Sequence, residues 1–256
     1  MLKNERLDQI NDLIRRNGSV EVAALCRLFG VSDMTIRRDL EMLEKNNLAV
    51  RSRGGAKALS DNVLSENAYE IRMTKNLREK EAIAELALTL INDGDKVFFD
   101  SSTTVFCLAK ILRHQQNFLV VTDTLPTAIE ANSRKSVKVI CLGGEIKKNT
   151  NSCSSLFAEQ MLETLNFTTV FMSAPIVSAD GNISISSISE LSIKKKVLDK
   201  AQKKVFLFDS SKLKTPDFIS LCHISQFDVV ITDSGIDKGF VDACSDWGVN
   251  LLVADI

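Results

Sequence analysis

No stretch of this 256-residue chain approaches the roughly 20 consecutive apolar residues that a membrane-spanning helix needs. Its first residues, MLKNERLDQINDLIRR, place charges where a secretory signal would carry its apolar run. Both absences point to a cytoplasmic protein with no membrane partner. The cysteines Cys26, Cys107, Cys141, Cys153, Cys222 and Cys244 stand singly, with no C-x-x-C pair, and the chain has only two histidines, His114 and His223. This argues against zinc and disulfide frameworks and for reduced, mostly buried thiols. No metal and no cofactor is expected. Overall charge is also nearly absent, with 32 Lys and Arg against 33 Asp and Glu, but it is unevenly spread. Residues 1–57 hold 11 basic against 8 acidic side chains, a net +3, and the remainder holds 21 against 25, a net −4. A mildly basic head on an acidic body suggests that the head meets something anionic.

What is present divides the chain in two. Leu7, Ile10, Leu13 and Ile14 recur at helical spacing until Asn17-Gly18. A second helix, capped by Ser19, carries Val22, Leu25, Cys26 and Phe29 on one side and ends at Gly30. Ser32 caps a third, with Ile36, Leu40 and Leu43 as its inward stripe. The alternation of LAVRSRGGAKAL, turning at Gly54-Gly55, predicts a hairpin. Three helices and a hairpin over residues 1–57 make a winged helix-turn-helix. Residues 58–76 are polar without a sustained apolar face and read as a linker. From 77 to 256, seven short apolar runs follow helix-like stretches, at 97–99, 118–122, 137–142, 168–174, 204–209, 228–233 and 250–255. That alternation predicts an α/β domain with a mainly parallel sheet, whose ligands bind beyond the carboxyl ends of the strands.

On the third helix, Ser32, Thr35 and Arg38 share a face opposite the inward stripe. Arg37 or Arg38 can reach guanine edges or phosphates, Ser32 and Thr35 can bond phosphate or base, and Met34 can touch a thymine methyl. Arg51, Arg53 and Lys57 sit where a wing would contact the DNA backbone. Over VSDMTIRRDLEMLEKNNLAVRSRGGA the chain resembles the winged helix-turn-helix of the DeoR family of bacterial transcriptional regulators. The match covers Val31, Ser32, Thr35 to Leu40, Leu43, Glu44, Arg51 and Gly54 to Ala56. Double-stranded operator DNA is the partner this implies.

In the body, the first strand runs into Asp100, Ser101, Ser102, Thr103 and Thr104 and then a helix. Hydroxyls and free N–H groups at a helix start suit an anion. Later strands end in Thr122-Asp123, in Gly143-Gly144, whose lack of side chains allows close approach, and in DSSK with the mobile charge of Lys212. Residues 77–256 resemble the effector domain of the same family, which is similar in fold to ribose-phosphate isomerases and CoA-transferase-like proteins and typically binds phosphorylated sugars. The family's D-x-G-T-T falls on Asp100 to Thr104, V-T-N-S-L on Val121 to Leu125, L-G-G on Leu142 to Gly144 and D-S-S-K on Asp209 to Lys212. The chain departs from these patterns at Ser102, Asp123 and Ser154-Ser155. A Ser102 at positive φ would cost about 1–2 kcal/mol, and Asp123 would add a negative charge beside the anion.

A fold of this kind can host proton transfer, for which Asp100, Asp123, Glu145, Glu190 and Lys212 are candidates. The loop PIVSADGNIS lacks the paired acidic residues that such an isomerase would need. The reading is a non-enzymatic repressor of a sugar or related carbon-source operon, working as a dimer or tetramer and controlled by a phosphorylated sugar. Two alternatives stand beside it: an isomerase carrying a DNA-binding head, and a regulator that has lost its small effector.

Overall fold

The computed structural model describes residues 3–45, 48–52, 54–57, 69–113, 117–148 and 150–256. Arg53, expected on the wing, lies outside them. The chain divides into two compact units, Met1–Ala68 and Tyr69–Ile256.

In the first unit, α1 (Lys3–Asn17), α2 (Val22–Phe29) and α3 (Asp33–Lys45) close over a core of Ile10, Ile14, Val22, Leu25, Ile36, Leu40 and Leu43. Ala49 and Ala56 of the wing complete it. The wing strands β2 (Val50–Ser52) and β3 (Gly55–Lys57) are joined by a third, β1 (Ser19–Glu21), in the antiparallel order β1-β3-β2. The expected helical start at Ser19 is therefore a strand. Its backbone pairs with β3, Ser19 opposite Lys57 and Glu21 opposite Gly55, and this ladder outweighs local capping. A Cβ on Gly55 would stand 2.0 Å from the Val20 carbonyl oxygen, so the approach of the two strands requires glycine there.

The second unit opens with α4, helical over residues 69–74, followed by Asn76 in the left-handed conformation (φ 52°) and α5 (Leu77–Leu88). The segment expected as linker is thus described only from residue 69, and from there it belongs to this unit. All seven apolar runs are strands of one parallel sheet: β4 (Lys96–Phe99), β5 (Phe118–Thr122), β6 (Val137–Cys141), β9 (Phe167–Met172), β12 (Ala201–Leu207), β14 (Val229–Asp233) and β15 (Leu251–Ala254). Along β4 the side chains alternate between two cores. Val97 and Phe99 pack with α5, α6 (Thr103–Lys110) and α7 (Leu125–Asn132), and Phe98 packs with α8 (Leu156–Glu163), α9 (Ile188–Asp199) and α10 (Lys238–Asp246). Outside this sheet lie the hairpin β7 (Ile146–Lys147) and β8 (Ser152–Cys153), and a small antiparallel sheet of β10 (Ile176–Val177), β11 (Asn182–Ile185) and β13 (Ile219–His223). The loop PIVSADGNIS is the β10–β11 hairpin of that small sheet.

The strand order is β15-β14-β12-β9-β4-β5-β6. After β4 the chain builds outward through β5 to β6, then crosses back to lay β9 on the other side of β4. This reversal leaves a switch point between β4 and β9, where an open α/β sheet offers a crevice beyond its strand ends. Among the described residues no helix is long and apolar enough to cross a membrane.

Candidate functional site

In the first unit, α3 starts where Ser32 caps it: the Thr35 N–H donates to Ser32 Oγ at 3.3 Å, and the two hydroxyls lie 2.9 Å apart. Ser32, Met34, Arg37 and Arg38 are exposed and Thr35 is half-buried, so the predicted face is open to a groove. Two arginines are already engaged. Arg37 pairs with Asp33 one turn earlier, and Arg51 Nη1 lies 2.9 Å from Glu41 Oε1 while its N–H donates to Glu44. Arg51 therefore ties the wing to α3. Lys57 is exposed on β3. Sequence reasoning missed Asp39, which is buried and accepts from Arg6 Nε at 2.6 Å, joining α3 to α1. The signal was available: Asp39 is three residues after Ile36 and four before Leu43, inside the inward stripe.

In the second unit a cleft opens at the switch point. Asp100 to Thr104 at the start of α6, Ser173 to Pro175 after β9, Glu190 and Lys194 of α9, Lys212, Thr150 and Arg72 of α4 line it. Its volume is about 70 Å³, and it is partly open to solvent. A small anionic group fits there, with the rest of a ligand at the mouth. Ser102 has φ −81° and its Oγ caps α6, accepting from the Val105 N–H at 3.2 Å. It carries no left-handed strain, so the expected cost of a serine there does not arise. Asp100 is fully engaged: Oδ1 accepts the Ser102 N–H at 3.0 Å, and Oδ2 accepts the Ser173 N–H at 2.9 Å and Lys194 Nζ at 2.6 Å. Lys194 also donates to the Ser173 carbonyl at 2.9 Å. The two strand ends at the switch point are thereby stapled by one buried ion pair.

Arg72 enters this site from a segment held by four hydrogen bonds. Asn76 Nδ2 donates to Asp209 Oδ1 and Ser211 Oγ, both at 2.7 Å. Lys80, buried on α5, donates to the carbonyls of Arg72 and Lys75, the latter at 2.6 Å. Burial pushes its ammonium down to about 8, partly offset by the charge of Asp209. Lys212, whose Nζ is 3.9 Å from Asp209 Oδ2, is likewise lowered by burial. None of Arg72, Ser173 and Lys194 was singled out from sequence, because none belongs to a hydroxyl- or glycine-rich strand end.

Four expected effector residues do not line the cleft. Thr122 and Asp123 end β5, the neighbour of β4, and Gly143 and Gly144 follow β6 at the sheet edge; none of the four is in the lining of the cleft. Thr122 Oγ1 accepts the Thr124 N–H at 3.3 Å, Gly143 meets Met161, and Gly144 lies against Ser155. Asp123 is buried with Oδ1 unbonded. Burial first, and then the nearby Asp100, push its carboxyl up to about 8, which favours the protonated form and opposes the extra negative charge expected there. Between about pH 4 and 8 the folded chain thus holds a proton that the unfolded chain has released. Stability should fall as pH rises through that window. Urea titrations across it should show the slope, and Asp123→Asn should remove it.

The two units match two profiles in chain order. The DeoR-like helix-turn-helix domain covers residues 6–62, and the DeoR C terminal sensor domain covers residues 75–234. The chain belongs to the DeoR family. Its DeoR relatives include an uncharacterized HTH-type transcriptional regulator, YulB, of Bacillus subtilis (strain 168), 32% identical over 100% of this chain and 98% of that one. The lactose phosphotransferase system repressor of Staphylococcus epidermidis is 34% identical over 91% of this chain and 93% of that one. Among solved structures, ribose 5-phosphate isomerase A of Methanocaldococcus jannaschii overlaps 55% of this chain and 56% of its own at a TM-score of 0.41 and 16% identity. Such a likeness is too loose to bear on ligand or chemistry. Among the described residues no group of three or more His, Cys, Asp or Glu could hold a metal ion.

Proposed function

We propose that this DeoR-family chain is a cytoplasmic repressor of a sugar-utilisation operon, and that a phosphorylated sugar in the switch-point cleft controls its grip on operator DNA. The observation that carries this reading is the convergence of Arg72, Lys212 and the N-terminus of α6 on one small cleft. A phosphate seated among them would meet two cations and free helix N–H groups. Arg72 rides on α4, so an anion that draws on Arg72 and Lys212 acts where the second unit begins. The names of the relatives agree with a sugar operon as target.

A catalytic role fits less well. Asp100 has its oxygens committed to two backbone N–H groups and Lys194, and Asp123 lies outside the cleft, which leaves Glu190 as the carboxylate available to a substrate. Proton exchange into a phosphorylated sugar, lost in Glu190→Gln, would reverse this conclusion.

The test is DNA binding by fluorescence anisotropy at fixed salt, with a duplex from the promoter of the adjoining operon and a panel of phosphorylated sugars. One sugar phosphate should change affinity by roughly 5- to 150-fold. Arg72→Met and Lys212→Met should each lose that response while still binding DNA, and Arg38→Ala should bind DNA more weakly without effector. If no phosphorylated sugar changes affinity or raises the melting temperature, the effector assignment is wrong.

A further inference from the structure

The parallel sheet ends at β6, which among the described residues pairs only with β5. Its outer backbone groups form an open edge, a template for another strand. Folded proteins guard such edges with charge, proline or a covering element. This edge carries one exposed residue, Lys138, between half-buried or buried apolar ones.

The helices on either side of the edge are apolar where water meets them. One flank of α7 is taken by Arg134, which donates to the carbonyls of Lys110 and Leu112. Leu125 and Ile129, one turn apart, remain on its open face. On the other side of the sheet, α8 turns Glu163 toward Lys196 of α9 and Met161 toward the end of β6, where Met161 Sδ accepts the Gly143 N–H at 3.4 Å. Phe157, four residues before Met161, shares that side, with Leu156 next to it. Ile146 on β7 closes the rim, in a hairpin bonded to α7 through the Leu125 N–H and the Asn151 carbonyl at 3.1 Å. These five side chains are between 37% and 72% exposed. At about 200 Å² for a large side chain they present roughly 600 Å² in all, divided between the two sides of the edge. At the opposite edge, beside β15, α10 turns Lys238, Asp242 and Asp246 to solvent. Among the described residues the β6 edge has Lys138 as its one exposed charge and the larger set of exposed apolar side chains beside it, against Val253 at the β15 edge.

We infer that the β6 edge, with the apolar rims of α7, α8 and β7, is the face on which a second copy of this chain docks about a two-fold axis. A two-fold sets the same edge and rim against themselves, antiparallel, so that two open hydrogen-bond ladders satisfy each other. The apolar rim and the backbone edge together approach the ~800 Å² that each partner buries in a standard interface. Pairing is also what a head with one recognition helix needs to hold two half-sites.

Light scattering on the full chain at micromolar concentration tests this without DNA or sugar, so pairing can fail while the repressor reading stands. The wild type should run at twice the 28.3 kDa chain mass or an even multiple of it. Ile129→Arg with Phe157→Arg should halve that mass and weaken binding to a duplex with two half-sites at least tenfold. Phe218→Arg, at a residue 89% exposed elsewhere on the unit, should leave the mass unchanged. Both rim residues are exposed, so folding should survive, as thermal unfolding will check. If the double variant does not fold, Ile129→Arg alone is read the same way. A monomeric wild type, or a double variant that keeps the wild-type mass, overturns the inference.

Discussion

Asp39→Ala should destabilise the helix-turn-helix unit by about 3 kcal/mol and abolish operator binding. The substitution strips a buried carboxylate from Arg6 and leaves that guanidinium unpaired between α1 and α3. Breaking a buried pair from one side costs about 3–5 kcal/mol, because the surviving charge keeps its desolvation penalty without its partner. The lower end applies, since the Arg6 side chain keeps 10% of its surface in water against 2% for Asp39. Urea unfolding of the intact chain should show the first unit melting early, with the transition of the second unit unmoved. The decisive control removes both charges. Arg6→Met with Asp39→Leu should recover most of the lost stability, as paired apolar replacement of a buried ion pair usually does. A single variant as stable as wild type would mean that the pair is dispensable and α3 is held by its apolar stripe alone.

Lys194→Met should cost the second unit about 3–5 kcal/mol by the same logic. Here both side chains are almost sealed, at 8% and 2% exposure, and Asp100 also holds the Ser102 and Ser173 amides. Burial by itself would lower the Lys194 pKa, but the charges of Asp100 and Glu190 and the hydrogen bond to Asp100 outweigh it and raise it. A raised lysine contributes stability that is intact below the ordinary lysine range and lost only as pH climbs above it, so the effect should be constant across neutral pH. Adding Asp100→Asn to Lys194→Met should restore part of the stability by removing the stranded charge. Sugar-phosphate response should stay lost in both, because the β4 and β9 ends are no longer stapled. Thermal unfolding with and without ligand separates the two effects; a Lys194→Met protein with wild-type melting and response would refute the staple.

The elements of both units were legible because local periodicity and turn chemistry decide them. Each apolar run became a strand of the parallel sheet, and Ser32 and Gly30 cap the helices as their types predict. The exceptions are places where a distant partner won. Ser19 to Glu21 looked like a helix start and became a strand because β3, more than 30 residues on, offers a ladder. Ser102 looked strained only on the premise of a left-handed backbone; as a cap it sits at ordinary φ. Asp123 looked like a charge beside the anion, and its burial raises its pKa to about 8.

The sequence by itself therefore determined a winged helix-turn-helix followed by a parallel α/β body, and the exposed polar face of α3, since these rest on spacings of two, three and four residues. Only the tertiary structure decided which strand ends meet. Asp100 and Lys194 are 94 residues apart, Asn76 and Asp209 133 apart, and neither spacing has a period that a local pattern could reveal. The crossing from β6 back to β9 joins the first pair and drops Thr122, Asp123, Gly143 and Gly144 from the cleft, and the same crossing leaves β6 as an open edge. Where charges pair and where backbone stays unpaired depends on the order of strands in space, which hydrophobic alternation does not encode.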